Sequence, residues 1–211
     1  MKSYMDVKEK LIYTAHLSYS KELFAGTSGN LSVYDRENGI MAITPSSIPY
    51  EVMGTDDIML INLDGEIIEG KHRPSSEWRM HAVIYKNRQD VNAIVHTHSP
   101  YATAFAVNGE TIPIILIEMI PFIGGEISVA KFALPGTEEV GLEALKVLNG
   151  SNVCLMANHG VIAIGESLEQ AYIRTVYAED AAKIYSIAKS NGNINLVPEE
   201  FVIAMKNRLR R

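Results

Sequence analysis

The chain has 211 residues, 47% hydrophobic and 21% charged, which is enough apolar material for one well-buried domain and too little polarity for a disordered chain. Its net charge of -6 at pH 7 offers no basic face to a nucleic acid or an anionic membrane, so an anionic ligand has to be held by a local pocket. Cys154 is the only cysteine, which excludes an intrachain disulfide and a cysteine-based zinc knuckle and makes the cytoplasm the expected compartment. The most apolar segment, 112–125, is interrupted by Pro113, Glu118 and Pro121 and does not read as a membrane span. The N-terminal MKSYMDVKEK is charged and lacks the apolar run of a signal peptide. A single domain over 1–211 is expected.

Val7, Leu11, Ile12, Ala15, Tyr19 and Leu23 have the spacing of an amphipathic helix and predict one over 6–24, with His16 as a structural residue. The stretch from Gly26 to Asn30, GTSGN, reads either as a plain turn or as a loop whose backbone N–H groups and side-chain donors approach an anion. Leu31 to Tyr34 alternates as a strand, and Asn38-Gly39 turns the chain back through Ile40 to Ile43, which ends in the hydroxyl-rich Thr44-Pro45-Ser46-Ser47. A second hairpin, 58–61 with 66–68, turns at Asp64-Gly65.

Pro74-Ser75-Ser76 then opens a helix over 77–87. A helix start exposes unpaired N–H groups and favours a phosphate, to which Ser75 and Ser76 would add hydroxyls; ordinary capping is the alternative. Glu77 in the first turn is what the helix dipole prefers, and His81 is expected in the core or behind a site. The apolar run from Asn92 to Val95 leads into His96-Thr97-His98. Residues two apart on a strand project from the same face, so both imidazoles reach one point, as a divalent metal requires. His159, in Asn158-His159-Gly160 after the apolar run 153–157, is the candidate third ligand, with Gly160 expected to allow a tight turn.

Residues 99–107 read as a helix with Pro100 near its first position. The apolar segment 112–125 carries one acid, Glu118. Pro135-Gly136-Thr137 leads to a helix ending near Asn149-Gly150, and 153–157 and 161–164 are strands in which Cys154 is a small buried hydrophobe. Ser167 and Gln170 form a capping box for a helix running to about Ser190. Pro198 starts a last helix, whose C-terminal dipole the basic tail Lys206 to Arg211 complements.

Taken in order, Gly26 to Asn30, Ile43 to Tyr50, Pro74 to Glu77, Val95 to His98 and Asn158 to Gly160 resemble the class II aldolase/adducin family, over nearly everything from the first helix to Tyr185. Within it the likeness is strongest to aldolases acting on L-fuculose 1-phosphate. The resemblance implies a three-layer α/β/α domain with a central, largely antiparallel sheet, one Zn²⁺ per subunit, and a C4 homotetramer with active sites between subunits. It implies His96, His98 and His159 as zinc ligands, and Glu77 as the acid that ligates zinc at rest and acts as base in turnover. The implied phosphate-binding positions are Gly29, Asn30, Ser46, Ser47, Ser75 and Ser76. The implied reaction cleaves a deoxyketose 1-phosphate to dihydroxyacetone phosphate and an aldehyde such as L-lactaldehyde.

Sibling reactions on the same scaffold are the 4-epimerisation of L-ribulose 5-phosphate, where aspartate typically replaces the glutamate, and the dehydration of methylthioribulose 1-phosphate. A non-catalytic interaction domain like the adducin head would have no reason to keep Glu77 and all three histidines. Two departures stand out. The family tyrosine that handles the proton on the aldehyde oxygen falls at Ile117, leaving Glu118, Tyr101 or water for that role, with Glu118 favoured as an acid in an apolar stretch. The C-terminal tail also lacks the aromatic residue that helps close the site.

Overall fold

Eight strands, β1 (Asn30–Asp35), β2 (Ile40–Ile43), β3 (Met59–Ile61), β4 (Ile67–Glu69), β5 (Ala93–Thr97), β6 (Val129–Ala130), β7 (Val153–Met156) and β8 (Gly160–Gly165), make one sheet in the order β4-β3-β2-β1-β5-β8-β7-β6. The computed structural model describes residues 4–209, so Arg210 and Arg211 of the basic tail lie outside the described residues. All neighbouring strands are antiparallel except β6 and β7, so the sheet is largely antiparallel, as expected. Strands β5, β7 and β8 are buried throughout, which is why they read as continuous apolar runs rather than as alternating ones.

The helices are α1 (Met5–Ser20), α2 (Trp78–Asn87), α3 (Pro100–Asn108), α4 (Met119–Phe122), α5 (Glu138–Val147), α6 (Leu168–Asn191) and α7 (Glu199–Leu209). Successive strand residues point to opposite faces and sort into separate cores. Ile43, Ile61, Ile94, Cys154 and Ile162 pack with Met80 and Ile84 of α2 and Val140 and Ala144 of α5. On the other face Leu31, Ala93 and Val95 meet Leu11 and Ala15 of α1, while Leu155, Val161 and Ala163 meet Ala102 of α3 and Ala178 of α6. The three layers implied by the resemblance are therefore present. No helix among the described residues is long and apolar enough to cross a membrane.

Several local expectations change. Helix α1 stops at Ser20 rather than at 24, because Glu22 takes φ 58° and redirects the chain, so that Phe24 stacks on Tyr50 with ring centroids 4.5 Å apart. His16 is exposed, yet its Nε2 lies 3.0 Å from Met53 O and ties α1 to the loop beyond it. The apolar segment 112–125 contains the short helix α4, and Glu118 sits exposed just before it. Solvent reaches its side chain, so no buried charge has to be compensated there and burial does not single Glu118 out for the proton-handling role. Strand β6, two residues long, is too short to leave a periodic pattern. Ser167 caps α6 through its Oγ, which accepts from Gln170 N at 3.2 Å, but Gln170 Oε1 reaches Glu166 N, one residue before the position a capping box uses. Burial pushes the Cys154 thiol up to about 12, which leaves it inert.

Candidate metal centre and adjoining cleft

His96 lies in mid-sheet, fully buried, opposite Asn30 on β1 and Ile162 on β8, on the side facing α2. His98 follows the end of β5, and His159 closes the turn between β7 and β8, where its N–H donates to Met156 O at 3.0 Å. The left-handed residue of that turn is Asn158, at φ 56°, and not Gly160; asparagine tolerates this region through its short polar side chain. Gly160 serves another purpose. A Cβ there would lie 2.3 Å from Thr97 O, 3.0 Å from His98 Cδ2 and 3.2 Å from His96 Cε1, so only glycine lets β8 pass this close to the imidazoles. Gly29 is constrained similarly: it has φ +80°, and a Cβ would meet Phe24 Cδ1 at 2.6 Å and His96 O at 2.8 Å.

Glu77 stands at the N-cap of α2 but makes no cap hydrogen bond. Its carboxylate turns away from the helix dipole and into the sheet. Oε2 is 3.0 Å from His96 Nε2, Oε1 is 3.1 Å from His159 Nε2, and His98 Nε2 is 3.1 Å from His96 Nε2. One ligand atom from each of the four residues lies within 4.8 Å of all the others. His96 Nδ1 is 2.9 Å from Val161 O. A carbonyl only accepts, so Nδ1 carries a proton; beside the Glu77 carboxylate the imidazole also favours a proton on Nε2, and a metal would take that proton's place, with Nδ1 fixing the ring as in metal-binding imidazoles.

Whether this set fits a divalent cation can be tested on Glu77 Oε1, which is buried and has no hydrogen-bond partner, His159 Nε2 standing off the line such a bond needs. Ligands on a tetrahedral zinc at its usual bond lengths are separated by about 3.3 Å, close to the 3.0–3.1 Å edges here. The residues fit. Burial would raise the Glu77 carboxyl, but the adjacent imidazoles, His96 foremost, hold it well below the carboxylate range. Burial, then repulsion from His96 and His159, pushes His98 down to about 4, so it is neutral and able to ligate near pH 7.

Beside these groups opens a cleft of about 380 Å³, floored by Glu77, His98 and His159 and walled by Gly29, Asn30, Ser46, Ser47, Ser75 and Ser76 together with Thr27, Ser28, Pro45 and Pro135. Three hydroxyl-rich loops distant in sequence thus meet in one place. They are braced against each other: Ser46 N donates to Arg73 O at 2.9 Å, Ser75 N to Thr44 O at 3.0 Å, and Tyr50 OH to Gly29 O at 2.8 Å. Ser47 is held at φ 62°, an unusual conformation for serine that the bracing must offset.

The six positions are not equivalent. Ser46, Ser47 and Ser76 reach solvent, whereas Ser75 is buried and its Oγ accepts from Glu77 N at 3.3 Å. Asn30 is buried too, with Nδ2 donating to Glu77 Oε2 at 2.9 Å and Oδ1 2.6 Å from His81 Nε2. Its amide nitrogen carries two hydrogens, of which Glu77 takes one. Tyr50, which ends the Ile43 to Tyr50 stretch, supports the cleft through Gly29 and Pro135 lines it; neither has a site role legible in sequence, since a tyrosine buried under a loop leaves no periodic signal. Ile117, Glu118 and Tyr101 are exposed and do not line the cleft within one chain.

Residues 9–186 match the family model described as the class II aldolase and adducin N-terminal domain. A 5-deoxy-D-ribulose 1-phosphate aldolase of Bacillus thuringiensis serovar kurstaki is 37% identical over 193 residues, covering 92% of this chain and 90% of its own. A 5-methylthioribulose-1-phosphate/5-deoxyribulose-1-phosphate aldolase of Rhodospirillum rubrum is 37% identical over 179 residues, covering 85% and 80%. Among solved structures, an L-fuculose 1-phosphate aldolase superposes with a TM-score of 0.93 at 38% identity over 100% of both chains.

Proposed function

Because the chain belongs to the class II aldolase and adducin family, and within it to the metal-dependent aldolases of the fuculose-phosphate and deoxyribulose-phosphate type, we propose that it cleaves a deoxyketose 1-phosphate to dihydroxyacetone phosphate and a short aldehyde. The observation that carries this reading is the buried, unpartnered Glu77 Oε1 beside three convergent imidazoles, at the floor of a cleft walled by hydroxyls. His96, His98, His159 and Glu77 would hold the metal, which we take to be zinc. When bound, the metal supplies Lewis-acid stabilisation of the negative charge that develops on the ketose oxygens.

The chain's own groups do the rest. Gly29, Asn30, Ser46, Ser47, Ser75 and Ser76 seat the phosphate, which fixes the reacting carbons over Glu77. In the synthetic direction Glu77 Oε1 takes a proton from the hydroxymethyl carbon of dihydroxyacetone phosphate. The electron pair left on that carbon forms the bond to the aldehyde carbon, and the aldehyde oxygen takes a proton from a water molecule held in the cleft. Glu77 then returns its proton to solvent. Cleavage runs the same steps backwards, the C3–C4 pair remaining on C3 and being protonated there by Glu77. Positioned acid–base groups of this kind contribute about 10²–10⁴-fold.

The full chain acts as a single domain in a cytoplasmic homotetramer whose neighbouring subunits close each cleft. The apolar residues that one chain leaves exposed, among them Ile117 at 58%, Phe132 at 61% and Phe201 at 58%, support that assembly. To test the activity, the zinc-loaded protein is incubated with 5-deoxyribulose 1-phosphate, L-fuculose 1-phosphate, L-rhamnulose 1-phosphate and ribulose 5-phosphate. Dihydroxyacetone phosphate is expected from at least one deoxyketose 1-phosphate. Its absence from all of them overturns the assignment, and an epimer from the 5-phosphate points to the sibling reaction instead.

A further inference from the structure

The buried side of α2 begins with Glu77 and continues with His81 and Tyr85, spaced so that they stack on one helix face. Strand β1 turns Asn30, Ser32 and Tyr34 toward them, spaced two apart on one strand face. Four helical residues rise about 6 Å and two strand residues about 6.8 Å, so the two rows stay in step. The result is a continuous run of contacts. Asn30 Nδ2 lies 2.9 Å from Glu77 Oε2, Asn30 Oδ1 2.6 Å from His81 Nε2, Ser32 Oγ 2.6 Å from His81 Nδ1 and 2.7 Å from Tyr85 OH. The Tyr34 ring stacks on Tyr85 with centroids 5.1 Å apart. Asn30 is 3% exposed, and Ser32, His81 and Tyr85 are fully buried.

Donor and acceptor chemistry allows one direction along this run. A carboxylate only accepts, so Asn30 turns an N–H to Glu77 and its carbonyl to His81. His81 must then donate from Nε2. Its imidazole, pushed down to about 3 by burial and then by His96, is neutral and has one proton, so Nδ1 accepts from the Ser32 hydroxyl. Tyr85 OH in turn donates to Ser32, through Oγ or the backbone carbonyl at 3.1 Å.

We propose that His81 is a positioning residue for Glu77: with Ser32 and Tyr85 behind it, it holds the Asn30 amide in the orientation that supplies Oε2 with a donor and leaves Oε1 to move the proton. A reversed amide would set a carbonyl oxygen against the carboxylate. The kinetic consequence rests on the aldolase reading; the tautomer of His81 does not.

Two measurements test it. In metal-free ¹⁵N-labelled protein at pH 7, two-bond ¹H–¹⁵N correlations are expected to show His81 protonated at Nε2 and bare at Nδ1; the opposite tautomer or an imidazolium overturns the proposal whatever the substrate proves to be. In the zinc-loaded enzyme, His81→Leu is expected to lower kcat by about 10–100-fold, the usual effect of losing a partner behind a metal site, with KM moved less than about threefold. His81→Gln, whose amide nitrogen can occupy the place of Nε2, is expected to recover most of that loss. Equal losses in the two variants, or a change in KM alone, overturn the positioning role. If His81→Leu does not fold, Ser32→Ala replaces it in the comparison. That variant frees the tautomer and is expected to lower kcat about tenfold while His81→Gln stays near wild type; unchanged kcat in Ser32→Ala overturns the proposal.

Discussion

Replacing Gly160 by alanine adds one methyl where β8 passes β5. Gly160 is not among the residues with positive φ, so alanine brings no backbone strain and the effect is one of contact alone. The added carbon would lie 2.3 Å from Thr97 O, 3.0 Å from His98 Cδ2 and 3.2 Å from His96 Cε1. Close carbon–oxygen contacts settle near 3.3 Å, so the neighbours must give by about 1 Å. Register pairs run from Ala93↔Gly165 to Thr97↔Val161 and keep β5 and β8 from sliding, so the movement falls on Thr97 and on the histidines beside it. Overpacking of this kind costs about 1–3 kcal/mol; at about 2–4 °C per kcal/mol for a chain of this length, Tm is expected to fall by about 2–12 °C. A shift of the ligands by even part of 1 Å should weaken metal binding at least tenfold, and a misplacement of that size costs roughly 10²-fold in rate. Thermal melts with and without metal, and competition of the Co²⁺-loaded protein against a chelator, measure both. Wild-type metal affinity in Gly160→Ala, with or without a lower Tm, would show that the glycine does not set the ligand spacing.

Glu77→Gln can still accept from Asn30 Nδ2 while placing its amide nitrogen where Oε1 stood, so zinc should stay bound by the three histidines while kcat falls about 10²–10⁴-fold; zinc per chain and kcat are measured together, and normal turnover removes Glu77 as the base. Ser76 is exposed on the cleft wall, and Ser76→Ala should raise KM and the inhibition constant of inorganic phosphate about tenfold with kcat nearly unchanged; a fall in kcat alone would refute the phosphate role. His81 has its pKa lowered from 6.5 to about 3, so between those values the unfolded chain binds a proton that the native protein refuses. Stability is then complete above the unfolded value and declines as pH falls below it, by about 2 kcal/mol at pH 5. Urea unfolding of the metal-free protein at pH 7.5 and 5.0 should show this loss, reduced in His81→Gln; equal losses in both proteins would contradict a neutral buried His81.

Much of the architecture is local and was therefore legible. The hairpin at Asn38-Gly39, the helix start at Pro74-Ser75-Ser76 and the Ser167 cap are each written in a few adjacent residues, and the period of two at His96 and His98 already aims both imidazoles to one side of a strand. His159 stands out as a third ligand at the end of another apolar run, and the family order of the motifs adds the loop positions, which no single periodicity links.

What only the tertiary structure decided depends on distances between elements far apart in the chain. Glu77 reads in sequence as a residue placed for the helix dipole, yet its carboxylate faces Asn30, 47 residues earlier, and three imidazoles from β5, the residue just beyond it and the β7–β8 turn. His81 could have been any buried histidine until α2 was laid along β1 with matching rise. Gly160 reads in sequence as a turn residue, whereas Asn158 makes the turn and the glycine clears the way for Thr97 O and the histidine rings. Glu118 reads as an acid in apolar surroundings because hydropathy reports neighbours in sequence, and its neighbours in space include solvent. Periodicity and turn chemistry act over a few residues and survive in the sequence; the contact of one side chain with another across the sheet is set by packing, which no short stretch of this chain encodes.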